Sequence, residues 1–167
     1  MFLEIDIRDV KKNLVKAISD EWMLISAGNE EKSNMMTASW GLTGELWFRD
    51  VAVCFIRPQR YTLEFVEAND TFALSFFGTS EKKALSFCGS KSGREYDKIK
   101  ETGLTPIYAN GTVYYEEAKL VLICKKLAVG NIKPEQIVDQ TVINRCYPEK
   151  DFHKVFVGEI VKVLEKE

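Results

Sequence analysis

The stretch NMMTASWGLTGELWFRDVAVCFIRPQRYTLEFVEAND, residues 34–70, crowds hydroxyl, aromatic and cationic side chains around two apolar runs. Residues 35–43 and 51–56 are predicted to be strands joined through GELWFRD. Pro58 suits the first turn of a helix, and the apolar residues that follow it have helical spacing. Two strands followed by the start of a helix therefore form the centre of the predicted fold.

The segment MTASW carries the side chains that suggest a ligand. If it is a strand, Thr37 and Ser39 share one face, while Ala38 and Trp40 share the other. Such a strand can lie along a flat heteroaromatic ligand, with backbone N–H groups meeting the carbonyl and ring nitrogen atoms. The alternative is that Trp40 is buried in the fold and the hydroxyl groups face water.

The remaining sequence predicts mostly short strands. Further strands are predicted at 22–28, 71–77, 104–109, 112–116, 118–129 and 154–164. Apolar spacing predicts a helix over 9–18, and a second helix is expected to be capped by Ser80 and to stop at Gly89. The polar segment GSKSGREYDK, 89–98, is predicted to be a loop. This pattern favours a mainly β fold, an antiparallel barrel with peripheral helices.

Length and charge restrict the class of protein. The chain has 167 residues, which suits one domain, 1–167, with a core large enough to fold without disulfides or metals. Its 23 Lys and Arg residues nearly balance 25 Asp and Glu residues without forming a basic stripe, which argues against nucleic-acid binding. The sequence shows neither a membrane-spanning apolar run nor the apolar core of a signal peptide. We therefore expect a soluble, cytoplasmic protein without a membrane partner.

Cysteine and histidine patterns offer little for metal binding or covalent catalysis. The four cysteines, at 54, 88, 124 and 146, include no Cys-x-x-Cys pair, so no metal site is predicted. The first three lie in apolar segments typical of buried, reduced thiols, while the polar setting of Cys146 leaves a redox or catalytic role open. The one histidine, His153, precedes a predicted strand, where a hydrogen-bonded surface position is more typical than a catalytic one. Dinucleotide, phosphate-loop and nucleophile-elbow motifs are absent from the sequence.

Two segments have the composition to bind an anion. IRPQRYT places Arg57, Arg60 and Thr62 beside the predicted helix start, where free amides and the helix dipole favour phosphate. GSKSGREYDK supplies small residues for close backbone approach, serine hydroxyls, Arg94 and Lys98. The same charges also suit a capped helix and a solvated loop.

Several separated motifs give the sequence a family resemblance. SNMMTASWG, IRPQRYTLEFVEAND, SFCGSKSGREYDK, GLTPIY and DFHKVFVGEIVKVL occur in order over about residues 22–164. Together they resemble the flavin reductase-like family, the FMN-binding split-barrel proteins that include flavoredoxins. The resemblance implies a six-stranded antiparallel split barrel and a homodimer. It also implies one non-covalently bound FMN per subunit, near the dimer interface.

The resemblance also implies a set of FMN-binding positions. They are Asn34, Thr37, Ala38, Ser39 and Trp40 along the flavin, Arg57, Arg60, Tyr61 and Thr62 around it, Ser92, Gly93, Arg94 and Lys98 on the phosphate and ribityl side, and His153 before the last strand. In one place the chain departs from the pattern, because Arg49-Asp50 stands where relatives often have proline. That difference bears on the electron donor more than on the flavin.

The resemblance implies a redox function carried by FMN. The first hypothesis is a flavin reductase in which NADH or NADPH passes a hydride to FMN, and electrons then go to flavin, ferric iron or a protein acceptor. No side chain need transfer a proton in this scheme. The second hypothesis is an FMN-containing electron carrier without nicotinamide activity, whose partner surface lies around Trp47–Asp50. A flavin-free barrel that serves as an interaction module is the third.

Overall fold

The computed structural model describes residues 1–166. Its strands are β1 (Phe2–Ile5), β2 (Met23–Gly28), β3 (Ser33–Ala38), β4 (Gly41–Leu46), β5 (Arg49–Ile56), β6 (Thr71–Phe76), β7 (Pro106–Ala109), β8 (Thr112–Tyr115), β9 (Leu120–Asn131) and β10 (Lys154–Lys166). Its helices are α1 (Leu14–Lys16), which continues as a π-helical turn over Ala17–Glu21, α2 (Thr62–Ala68), α3 (Lys82–Ser90), α4 (Lys98–Thr102) and α5 (Gln140–Cys146). Short 3-10 turns cover Ile7–Asp9 and Pro134–Gln136. Within residues 1–166, no helix is long and apolar enough to cross a membrane.

The strands form one large antiparallel sheet and one small hairpin. The large sheet has the order β3-β2-β6-β9-β10-β5-β4, and β1 pairs with the C-terminal part of β10. Strands β7 and β8 pair only with each other in the described part of the chain. The predicted mainly β, antiparallel fold with peripheral helices is confirmed, with eight strands in the large sheet where six were expected.

The large sheet curls into a barrel. Cys54 on β5 and Met23 on β2 belong to the same buried cluster, although β6, β9 and β10 lie between these strands in the sheet. A Cβ added to Gly41 at the start of β4 would lie 2.9 Å from the terminal methyl of Met23. The two ends of the sheet therefore approach each other, and β3 and β4 meet at Ser39 and Trp40, the residues that join them.

Two apolar layers hold the barrel together. The barrel core, inside the sheet, includes Met23, Ile25, Cys54, Phe72, Leu74, Leu122 and Phe156. The outer cluster packs the opposite face against α3 and β7–β8, and includes Leu24, Met35, Ala73, Leu85, Val113, Val121 and Ile123. All six residues of β2 are buried, because alternate side chains enter the two layers. Each large apolar side chain buried in this way contributes about 1.5–3 kcal/mol.

Several predicted helix boundaries were wrong for local reasons. The helix expected over 9–18 is a 3-10 turn followed by α1, because Val10 is extended and the Asn13 side chain caps α1 by accepting from Lys16 N. Pro58 lies in a turn in which Arg60 N donates to Arg57 O, so α2 begins only at Thr62.

The segments around α3 also differ in detail from the prediction. Ser80 donates to Phe77 O instead of capping α3, which begins at Lys82 and ends one residue beyond Gly89. The predicted loop 89–98 ends where the Asp97 side chain caps α4. Strand β1 and helices α4 and α5 were not predicted.

The strand predicted over 35–43 is interrupted where the barrel closes. β3 ends at Ala38 and β4 begins at Gly41, which leaves Ser39 and Trp40 outside both strands. The following hairpin has a two-residue turn, and both Trp47 and Phe48 have positive φ values, 56° and 59°. Such turns favour Asn and Gly, so two aromatic residues are unusual here.

Candidate functional site

The ends of β3 and β5 and the start of β10 border an open cleft, called here the strand cleft. Its lining residues are Met36, Thr37, Ala38, Ser39, Trp40, Phe55, Arg57, Arg60 and His153. Phe55 pairs with Val155 across β5 and β10, which brings the strand of Phe55 beside the segment that carries His153. The segment of Thr37–Trp40 and the segment of His153, more than a hundred residues apart in sequence, thus border the same cleft.

The edge of β3 gives the strand cleft unpaired backbone groups. In the described sheet β3 is a terminal strand that pairs only with β2. The Lys98 ammonium donates to Met35 O at 2.8 Å, so the backbone groups of Met35 face away from β2. Because backbone direction repeats every second residue, the N–H and C=O of Thr37 face the same way. These groups can meet the polar edge of a planar ring.

The Thr37 hydroxyl has a structural partner. It donates to Leu85 O of α3 at 2.5 Å, and so ties β3 to that helix. Ser39 and Trp40 are exposed, and Trp40 retains 45% of its accessible surface. The alternative that Trp40 is buried in the fold is therefore wrong, while the prediction of a ring available to a ligand stays open.

A cation and aromatic rings form one wall of the strand cleft. The Arg57 guanidinium carbon lies 5.8 Å from the ring centre of Trp40 and 5.2 Å from that of Tyr147. Arg57 also forms an ion pair with Asp151 at 2.7 Å and donates to Cys146 O at 2.9 Å. Its charge is therefore fixed between two rings, as cation–π geometry favours.

His153 is hydrogen-bonded, as expected, but it is buried and not on the surface. It keeps 6% of its accessible surface, and its Nδ1 lies 2.7 Å from the Tyr147 hydroxyl. Burial lowers the pKa of His153 to about 4, and the nearby Arg57 charge acts in the same direction, while Asp151 opposes it. The imidazole is therefore uncharged at neutral pH.

A second cleft, called here the loop cleft, adjoins the first. It is lined by Gln59, Arg60, Tyr61, Thr62, Ser90, Lys91, Ser92, Gly93 and Lys98. Arg60 lines both clefts and so joins them. Helix α2 has only seven residues, so hydroxyl and cationic side chains supply most of the anion-binding character that was expected from its N-terminus.

Two of the three cations that line the loop cleft, Arg60 and Lys98, are bonded to the end of α3. Arg60 donates to Gly89 O at 2.7 Å and to Cys88 O at 3.0 Å, and Lys98 donates to the same Cys88 O at 3.0 Å. Burial lowers the pKa of both groups, that of Lys98 to about 8. Both side chains complement the negative end of the helix dipole. A guanidinium has five N–H donors and an ammonium three, so each retains a donor for a ligand.

Asn34 and Gly93 form the floor between β3 and the loop. The Asn34 amide donates to the Thr62 hydroxyl oxygen at 3.0 Å, which leaves the Thr62 hydrogen free to donate. A Cβ added to Gly93 would collide with the Asn34 side-chain oxygen. Glycine thus allows this close approach without a shift of the Asn34 side chain.

Arg94 does not line either cleft. Its guanidinium forms an ion pair with the exposed carboxylate of Glu64 and lies 4.5 Å from the ring centre of Tyr61. It also donates to Gln59 O at 3.3 Å. The remaining predicted positions border the strand cleft, the loop cleft or the floor between them.

Sequence reasoning missed four residues of this region. Met36 and Phe55 line the strand cleft, and Tyr147 and Asp151 hold His153 and Arg57 in place. The apolar run VAVCFI predicted a strand but gave no signal that Phe55 faces a ligand. The contacts of Tyr147 depend on the path of residues 132–153, and no local pattern predicts that path.

The residues of the two clefts fit a flavin mononucleotide. The strand cleft offers an apolar and aromatic wall beside unpaired strand amides, which suits a planar ring with a polar edge. The loop cleft offers hydroxyl groups of Thr62 and Ser92 with three cations, which suits a phosphate. Among residues 1–166 no group of three or more His, Cys, Asp or Glu is placed to hold a metal ion.

Solved structures share this fold at low sequence identity. Flavoredoxin from Methanosarcina acetivorans has a TM-score of 0.70 and 21% identity, over 88% of this chain and 69% of that one. An FMN-binding protein from Thermus thermophilus with bound 1-cyclohex-2-enone has a TM-score of 0.68 and 24% identity, over 86% and 69%. An FMN-binding domain of a flavin reductases-like enzyme from Shewanella baltica OS155 has a TM-score of 0.69 and 12% identity, over 99% and 77%.

The sequence itself identifies the family. A search of curated protein sequences finds no match. The sequence profile described as Flavin reductase like domain matches residues 15–167, which is nearly the whole chain. The chain therefore belongs to the flavin reductase-like family of FMN-binding, split-barrel proteins.

Proposed function

We propose that this protein is an NAD(P)H-dependent flavin oxidoreductase that binds one FMN non-covalently across the strand cleft and the loop cleft. The observation that carries the proposal is the junction of the two clefts at Arg60. The strand cleft has an aromatic wall that suits a flat ring, and the loop cleft is lined by hydroxyl and cationic side chains. A ligand with a flat ring and a phosphate matches both clefts at once.

The proposal gives each group of side chains a task. The β3 edge and Trp40 hold the ring, Arg60, Thr62 and Ser92 hold the phosphate, and Asn34 with Gly93 sets the spacing between these parts. Bound FMN supplies the redox chemistry, accepting a hydride from NADH or NADPH and releasing electrons to flavin, ferric iron or a protein. The fixed Arg57 charge stabilises negative charge that develops in the strand cleft.

The electron carrier without nicotinamide activity is the alternative function, and an exposed hairpin favours it. Phe48 is fully exposed and Trp47 is 57% exposed at the tip of β4–β5. Arg49 and Asp50, which stand where relatives often have proline, form ion pairs with Glu159 and Arg8, respectively. An exposed aromatic tip of this kind suits a protein redox partner.

We also propose a homodimer in a reducing, cytoplasmic setting. Leu42 and Leu46 on the terminal strand β4 are 59% and 37% exposed, and Trp40, just before this strand, is 45% exposed. A terminal strand with apolar side chains is a surface that a second copy can cover. All four cysteines are free, and Cys54, Cys88 and Cys124 are buried, which supports a reducing compartment.

An anaerobic titration of the FMN-loaded protein with NADH, and then with NADPH, tests the proposed function. Loss of the oxidised flavin absorbance on a catalytic timescale supports the reductase and identifies the donor. A flavin that stays oxidised with both donors, yet is reduced by dithionite, overturns the reductase in favour of the carrier. A protein that binds no FMN would overturn both.

A further inference from the structure

Tyr147 lies beside the strand cleft and has no part in the proposed function so far. It follows the last residue of α5 and keeps 4% of its accessible surface. Its ring stacks on Phe152 with 4.6 Å between the ring centres, and the Arg57 guanidinium lies against it. The position of the phenol oxygen, 2.7 Å from Nδ1 of His153, is therefore fixed by packing on several sides.

The direction of this hydrogen bond follows from the partners that each atom has. Within residues 1–166, Nδ1 of His153 is the only hydrogen-bond acceptor found for the Tyr147 hydroxyl. If the hydroxyl donates to Nδ1, both buried atoms are satisfied. If Nδ1–H donates instead, the phenol O–H is left buried without an acceptor, which is unfavourable. The hydroxyl is therefore the donor.

The neighbouring charges do not compete for this role. Asp151 is the carboxylate closest in sequence. Its Oδ1 forms an ion pair with Arg57 at 2.7 Å and its Oδ2 accepts from Gln59 at 2.7 Å, and neither oxygen is hydrogen-bonded to the imidazole. Arg57 carries a positive charge and donates away from the imidazole, to the backbone carbonyl oxygens of Cys146 and Asp151. The tyrosine hydroxyl, and not a carboxylate, thus determines which imidazole nitrogen carries the proton.

The other imidazole nitrogen is available to a ligand. A neutral imidazole with Nδ1 as acceptor carries its proton on Nε2. In the described part of the chain, Nε2 has no hydrogen-bond partner, and His153 lines the strand cleft between Trp40 and Phe55. We propose that Tyr147 is a positioning residue that holds His153 in the tautomer with Nε2–H directed to the strand cleft. There it donates to an uncharged acceptor such as a carbonyl oxygen. The role toward a ligand rests on the proposed function, whereas the tautomer does not.

Nitrogen NMR of the full-length protein tests the tautomer directly. His153 is the only histidine, so the imidazole signals of 15N-labelled protein need no assignment by mutation. At neutral pH we expect one N–H nitrogen, identified as Nε2 by its couplings to both ring carbon protons, and one unprotonated nitrogen well downfield. A protonated Nδ1, or averaged shifts from a mixture, overturns the proposal. This result does not require any variant to fold.

Removing the hydroxyl tests the role of Tyr147. In Tyr147→Phe the ring that packs on Phe152 and Arg57 remains, and we expect the two nitrogen shifts to move toward each other as the tautomers mix. Tyr114→Phe is the matched control, because Tyr114 is also buried but belongs to the outer cluster. We expect wild-type imidazole shifts in this control. Wild-type shifts in Tyr147→Phe overturn the positioning role.

Kinetics of the FMN-loaded protein separate this inference from the proposed function. Loss of one neutral hydrogen bond corresponds to about a twofold to tenfold decrease in kcat/KM for the nicotinamide. We expect this decrease in Tyr147→Phe and not in Tyr114→Phe. If the wild type oxidises neither nicotinamide, the proposed function fails while the tautomer stands on the NMR result. If it does oxidise one and Tyr147→Phe has wild-type kcat/KM, the ligand-directed role of Nε2–H fails alone.

Discussion

The strand cleft and the loop cleft meet at Arg60, but their charged groups are fixed in different ways. In the strand cleft, Arg57 is fixed by Asp151 and by two aromatic rings, and the imidazole of His153 is uncharged. In the loop cleft, Arg60 and Lys98 donate to backbone carbonyls at the end of α3. Arg57 thus has a side-chain ion pair and two ring contacts in addition to its bond to Cys146 O, whereas the hydrogen bonds of Arg60 and Lys98 go to backbone carbonyls.

This difference predicts which substitutions mainly reduce stability and which mainly reduce ligand binding or activity. A cation that satisfies buried carbonyls contributes to folding whether or not a ligand is present. An aromatic or imidazole ring at an open cleft affects the ligand more than the fold. Variants of the loop cleft should therefore lose stability first, and variants of the strand cleft should lose activity or spectral signals first.

The largest effect is expected for Lys98→Met. Lys98 is 5% exposed and its ammonium is bonded to Met35 O and Cys88 O, so the substitution leaves two carbonyl oxygens without this donor. We expect the free energy of unfolding to fall by about 3 kcal/mol, measured by urea denaturation of the apo protein. Lys91→Met is the control, because Lys91 is exposed in the same cleft.

The Lys98 variant also tests how the loop cleft holds phosphate. FMN affinity is measured by fluorescence titration under conditions in which the variant is folded. A loss of affinity without a loss of stability would contradict the structural role and would make Lys98 a dedicated phosphate ligand.

An effect of intermediate size is expected when the pH is lowered, because the free energy of unfolding depends on the protonation of His153. The folded protein protonates His153 near pH 4, because burial and Arg57 disfavour the charged imidazole, whereas an unfolded histidine has a pKa near 6.5. The unfolded state therefore binds more protons between these values, and stability falls as the pH is lowered from about 6.5 to about 4. We expect the free energy of unfolding to fall by about 2 kcal/mol over this pH range. This loss is smaller than the full pKa difference implies, because water in the open cleft screens the imidazolium charge.

His153→Gln isolates this contribution from that of the carboxylates. Glutamine does not titrate, so the difference in unfolding free energy between wild type and variant should change over this pH range and remain constant above it. A constant difference at every pH would show that His153 protonates equally well in the folded and unfolded states.

The two clefts also differ in how far the sequence predicts them. The family resemblance predicted that residues 37–40 lie along the ligand, and all four line the strand cleft. The two-residue strand period had placed them on two different faces. The break after Ala38 was not predicted, since it depends on where β3 and β4 meet as the barrel closes. The pattern of polar and apolar residues along the chain does not show where β3 and β4 meet when the barrel closes.

The sequence predicted which residues belong to the site better than it predicted the hydrogen-bond partners of those residues. Lys98 was assigned to phosphate from its loop context, but α4, which begins at Lys98, was not predicted and buries the ammonium under α3. Tyr147 had no local signal, because its contact with His153 depends on the fold of the segment between β9 and β10. Charge and residue type identify candidates, and three-dimensional packing decides which donors remain free.

The smallest effect is expected for Arg94→Ala, the predicted position that lies outside both clefts. Its ion pair with Glu64 is solvent-exposed, with about half of each side chain accessible, so its contribution to stability is small. We expect changes below about 0.5 kcal/mol in unfolding free energy and in FMN affinity, measured by denaturation and fluorescence titration. Glu64→Ala removes the partner carboxylate and should give a similarly small change. A tenfold loss of FMN affinity in Arg94→Ala alone would show that the guanidinium leaves Glu64 to bind phosphate. The loop cleft would then have, besides the exposed Lys91, a second cation that is not bonded to α3, and the contrast between the two clefts would weaken.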